Sequence, residues 1–222
     1  MIALAVFRLA AYIRSHRVHQ ALLLTVAMLA IVHGNRAPRG EEASVLTDGA
    51  ILVLPILAWA ARSLLDTEPD RQREMSAVQV GGRGREVAAG LLAAFAASAV
   101  LSALAMSWAL LLGISGAPSP GLLTASVLLY ALSALTGTAL GALTSRAILP
   151  SPAFSIMALL LGFLAMLLLS STSLYWVTVP LISWMKAANA GQLVARLPAL
   201  ASISLAWCLI GLGTYVWLRR RT

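Results

Sequence analysis

Apolar, almost uncharged runs about as long as a lipid bilayer is thick recur through this sequence, and they leave the chain few ways to fold. They lie at roughly 18–34, 45–65, 87–113, 121–145, 153–171 and 198–218. A hydrocarbon core about 30 Å thick is crossed by ~20 helical residues. In lipid every backbone N–H and C=O must be satisfied within its own segment, which selects helix. Composition agrees, with 60% hydrophobic and 11% charged residues against roughly 45–50% and 25% in soluble domains. The runs predict an all-α integral membrane protein with six transmembrane helices. A length of 222 residues then predicts a single transmembrane domain, 1–222, with no separate soluble domain.

Two shorter segments read differently. In residues 1–17, Ile2, Val6, Leu9 and Ile13 fall on one helical stripe while Arg8 projects from another side, the pattern of an amphipathic helix lying on membrane lipid. Arg14 and Arg17 mark the entry to the first span. The basic start before Ala21–Val32 resembles a secretion signal, but His33-Gly34-Asn35-Arg36 offers no small-x-small cleavage site, so the segment is predicted to be retained. Leu174–Met185 is apolar, about a dozen residues long and interrupted by Pro180. That length predicts a re-entrant hairpin between the fifth and sixth helices, within an external segment 172–197.

Charge sets the orientation. The net charge is +8, but the basic residues sit at the ends of apolar runs and form no patch with polar or aromatic readers, so no nucleic acid is expected. With both termini cytoplasmic, twelve of the sixteen basic residues lie inside, and only Arg36, Arg39, Lys186 and Arg196 lie outside. The positive-inside rule favours this arrangement, which requires an even number of spans. Lys186 is the only lysine, a bias read as that of a GC-rich bacterium, so the expected location is a bacterial cytoplasmic membrane.

Motifs for chemistry are sparse. Cys208 is the single cysteine, which excludes an internal disulfide and a multi-cysteine metal site. No HExxH motif or pair of intramembrane carboxylates occurs, so no catalytic, cofactor or metal residue is assigned. Gly113-Ile114-Ser115-Gly116 has the GxSG form of an intramembrane serine protease, but His16, His19 and His33 all lie in or before the first span, leaving the serine without an evident base. Asp48, near the outer end of the second span, is the one ionisable group for a secondary transporter or channel, the alternative reading. Tyr175, Trp176, Trp184 and Lys186 read as interfacial anchors. Gly137 and Gly141, beside Ala134 and Thr138, form a GxxxG pair suited to close helix packing within one chain or between two.

The one long charged loop, Arg62–Glu86, reads RSLLDTEPDRQREMSAVQVGGRGRE, with five acidic and five basic residues. Its part 66–86 is predicted to be cytoplasmic, with a short helix from Asp70 to Val80 after Pro69 and a stop at Gly81-Gly82. Residues Glu68–Leu92, together with the N-terminal amphipathic stretch and the hairpin at 172–197, resemble the type-2 permeases of ATP-binding cassette (ABC) exporters. The resemblance implies that the loop is a coupling helix contacting a soluble ABC ATPase through Arg71, Glu74, Met75, Val78, Val80, Gly81 and Arg83. It also implies a second permease chain, identical or a paralogue, and an amphipathic or apolar cargo such as a drug, natural product, lipid or peptide. A phosphate-cradling GxxxxGK[ST] loop needs a lysine, and Lys186 stands in Trp-Met-Lys-Ala. ATP and Mg are therefore expected on the partner ATPase, and no enzymatic activity on this chain.

Overall fold

The computed structural model describes residues 1–221, without the side chains of Asp70 and Arg221. It is all-helical, with 81% helix and no strand among the described residues. The first two helices, α1 (Ile2–Arg14) and α2 (Arg17–Val32), meet at a 72° bend. His16 at the bend has φ 60°, a left-handed conformation that costs a non-glycine residue about 1–2 kcal/mol. Then come α3 (Glu42–Leu65), the short α4 (Asp70–Gln79) and α5 (Arg83–Trp108), whose last turn widens into a π-helix at Ala109–Gly113. Proline starts both α6 (Pro120–Leu143) and α7 (Pro152–Ser171), at positions where its missing N–H costs no helical bond. A 3-10 turn at Tyr175–Val177 leads to α8 (Leu181–Asn189) and to α9 (Leu193–Arg221).

Five of these helices, α3, α5 with its π turn, α6, α7 and α9, are long and apolar enough to cross a membrane, and the bent α1–α2 pair makes up to six. At 16 residues, α2 alone is about 24 Å long. The run expected to start at 198 belongs to α9, which begins at Leu193 and runs through Pro198, so helix takes up the last five residues of the segment expected at 172–197. Within that segment Trp184 is fully buried in the main core, which replaces its reading as an interfacial anchor. It sits on the face of α8 with Leu181 and Ala188, covering α3.

The centre of the bundle is the seam between α3 and α6, where Gly137 and Gly141 are used within the chain. A Cβ on Gly137 would stand 2.7 Å from Leu57 Cβ, and one on Gly141 would stand 2.9 Å from both Ala61 Cβ and Arg62 N. No side chain fits there, so the backbones themselves touch. Helix α5 completes a central trio through hydroxyls that donate to backbone carbonyls, Ser98 to Leu57 at 3.4 Å and Ser102 to Tyr130 at 2.7 Å. By contrast α7 lies at the edge and buries only Ser155, Leu159, Met166 and Ser170.

Both terminal helices reach the base of α5, so α1, α4, the start of α5 and the end of α9 share one end of the bundle. At the opposite end the 35–41 loop is clipped to the end of α5, with Ala37 N donating to Gly113 O at 2.9 Å and Ser115 Oγ donating to Ala37 O at 2.7 Å.

Candidate functional site

Pro69, in an extended conformation, starts α4, and left-handed Gly81 and Gly82 end it, with Gly82 N donating to Ala77 O at 2.8 Å. At these two glycines a positive φ is required, which other residues adopt at a cost. The helix is inside out relative to a soluble one. Its inward face is largely polar: Arg73 donates to Leu65 O at 2.5 Å and Ser76 Oγ donates to Glu68 Oε1 at 2.7 Å, both side chains being buried. Its outward face carries Met75 and Val78, 61% and 83% exposed, flanked by exposed Arg71, Glu74 and Gln79. Gly81 and Arg83 are also at the surface, while Val80 is half-buried at the C-terminal cap. The structure thus gathers the loop residues picked out by the sequence onto one knob.

What holds the knob is a charge network that the sequence reading missed. Arg8, 8% exposed, turns inward from α1 and donates to Glu68, to Glu86 Oε1 at 2.5 Å and to the Glu86 carbonyl at 3.1 Å. A Cβ on Gly90 would stand 2.6 Å from Arg8 Nη1, so that glycine makes room for the guanidinium. Arg219 of α9 meets Glu86 Oε2 at 3.3 Å. One arginine therefore spans both ends of the loop, and the second Glu86 oxygen ties in the C-terminal helix. The inner face of α1 is Ala5, Arg8 and Tyr12, leaving Ile2, Val6 and Ile13 exposed. The apolar stripe expected in residues 1–17 is thus the outer face, and the charged side is the packed one.

A second cluster braces the end of α3. Asp66 accepts from Arg146 N at 2.9 Å and lies 3.7 Å from Arg62. Arg62 Nε donates to Ser155 Oγ at 2.5 Å, and Ser155 in turn donates to the Thr144 carbonyl. Burial lifts the Asp66 carboxyl above the usual carboxylate range, opposed by the Arg146 N–H and by Arg62. These partners are up to 93 residues apart, so no local motif announces them.

The protease alternative has a different geometry from the one its spacing suggested. His33 does reach the GxSG segment, packing its ring against Gly113 with Nδ1 2.8 Å from where a Cβ would be. However, the Ser115 hydroxyl is engaged with the Ala37 carbonyl. No hydrogen bond between Ser115 and His33 occurs among the described residues, so the nucleophile–base contact of such a site is not formed.

These features define a class: a chain all-helical over its described residues, with five to six helices of membrane-spanning length and apolarity, carrying a short, charged, apolar-tipped helix at the end where Arg8 and Arg219 of the terminal helices both reach Glu86. Compared with family models, with curated proteins and with solved structures, the chain matches none.

Proposed function

We propose that the chain is the transmembrane permease subunit of an ABC exporter in a bacterial cytoplasmic membrane. In this reading α1 lies in the inner interface, α2, α3, α5, α6, α7 and α9 cross, and 172–192 forms the re-entrant external segment. The observation that carries the proposal is the exposure of Met75 and Val78 on α4. Most exposed apolar side chains of such a molecule face lipid, but these two sit in a charged loop between Arg71, Glu74 and Arg83. Burying each against a partner contributes about 1.5–3 kcal/mol, and the surrounding charges orient the contact.

The partners are a soluble ATPase, which binds ATP and Mg, and a second permease chain. Closure of the ATPases on ATP moves α4, and Arg8 and Arg219 carry that movement to α1, α5 and α9 because they hold both ends of the loop. The spans then switch between two packed arrangements as rigid bodies. The test replaces Met75 with Asp, which places an unpaired charge in the contact at a cost of about 2–5 kcal/mol. Exposed Gln79→Ala is the comparison. Met75→Asp should lose ATPase co-purification and cargo-stimulated hydrolysis while membrane abundance stays unchanged. Retention of both would make residues 70–82 a mere connector and remove the basis of the proposal.

A further inference from the structure

At the end of the bundle opposite α4, a cavity of about 380 Å³ opens between α7, α8 and α9. Its polar rim holds Lys186 and Arg196, together with Ser183 and Tyr175, and its apolar wall includes Leu200 and Ile203. Among the described residues no Asp or Glu lines it. This end has only four basic residues, and the other two are placed elsewhere: Arg36 donates to Leu111 O at 3.2 Å, and Arg39 packs beside Gly116 near Glu42. Two of the four cations that the positive-inside rule should disfavour here therefore share one cavity, with no carboxylate among its described lining residues.

The local structure fixes the helix that carries Lys186. Helix α8 is pinned to α7 by Ile182 N donating to Ser170 Oγ at 2.8 Å, and to α3 by Ser44 Oγ donating to Asn189 Oδ1 at 2.7 Å. Ser183 and Lys186, three residues apart, share a face of α8, while Arg196, Leu200 and Ile203 recur at helical spacing on α9. Ile203 lies about 10 Å further along the helix than Arg196, in the direction of the bundle interior. Charge at the rim and an apolar wall behind it match a molecule with an anionic head and a hydrocarbon tail.

We infer that this cavity binds an amphipathic anion, its phosphate or carboxylate head on Lys186 and Arg196 and its tail along Leu200 and Ile203. The binding claim stands on the cavity alone; that the anion is exported cargo rests on the permease reading. The probe is a fluorescent lysophosphatidic acid, compared with a lysophosphatidylcholine bearing the same label, titrated onto the detergent-solubilised full chain. Wild type should prefer the anion by about tenfold, the scale of two exposed ion pairs. Lys186→Gln with Arg196→Gln should reduce that preference below about twofold, and Lys186→Arg with Arg196→Lys should keep it. Arg36→Gln with Arg39→Gln removes the same charge from the same end and should leave the preference intact. No preference in wild type, or an equal loss in the Arg36/Arg39 variant, overturns the inference. In the assembled complex, hydrolysis stimulated by lysophosphatidic acid and lost in Lys186→Gln/Arg196→Gln identifies the anion as cargo. Binding without stimulation identifies it as a membrane lipid held in the same cavity, and a wild-type chain that binds the anion but associates with no ATPase sinks the permease reading alone.

Discussion

Arg8 shows how much of the fold can depend on one side chain. Its guanidinium is shared by Glu68 and Glu86 with almost no access to solvent, and removing one member of a buried ionic group costs about 3–5 kcal/mol because the others stay charged and unpaired. Arg8→Met is therefore expected to lower the thermal midpoint in detergent by roughly 10 °C, and adding Glu68→Gln and Glu86→Gln should restore part of the loss. Failure of the added changes to rescue it would show that the arginine acts through packing of its stem. His16 offers a test of opposite sign. At φ 60° the backbone suits glycine, so His16→Gly should leave stability unchanged or raise it slightly, whereas a β-branched His16→Val should destabilise by about 1–2 kcal/mol. Chemical denaturation of the two variants side by side separates them.

Among the elements, the α3–α6 seam has the tightest tolerance. Gly141→Val must push apart backbone that is already in contact, at a cost of about 1–3 kcal/mol, while Gly213→Ala meets nothing within 4 Å and should gain a few tenths to about 1 kcal/mol from helix propensity. If Gly141→Val melted like wild type, the seam would be looser than its geometry. Much of this level was legible in the sequence. Long apolar runs mark the helices because lipid and backbone hydrogen bonding leave no alternative, Pro69 and Gly81-Gly82 bracket α4, and the GxxxG spacing marks the seam. What was not legible depends on partners far along the chain. Arg8 reads as a surface charge until Glu68 and Glu86 are brought to it, Trp184 reads as an anchor until α8 folds onto α3, and His33 is remote in sequence from Gly113 until the far-end loop closes. The helix start at Leu193 was hidden by Pro198, which local reasoning treats as a boundary.

At the scale of the whole molecule, the orientation proposed from charge can be tested with cysteines placed in a Cys208→Ala background. An impermeant thiol reagent added to intact cells should label Cys at Glu41 and at Asn189, both exposed at the far end, but not at Gln79 on α4. Labelling at Gln79 would invert the topology and remove α4 from the reach of a cytoplasmic ATPase.

The Arg62–Ser155 bond adds a constraint on how the chain is made. The two residues are 93 positions apart, and at about 5–20 residues per second the ribosome needs roughly 5–19 s to deliver the second after the first. Throughout that interval the Arg62 guanidinium at the end of α3 is without its Ser155 partner. Asp66, one helical turn on, is available from the start, so the end of the nascent helix carries its own counter-charge before Ser155 arrives. Asp66→Asn is therefore expected to show its largest defect in the yield of newly inserted protein, read by pulse-labelling. The mature protein, in which Ser155 has arrived, should be affected less.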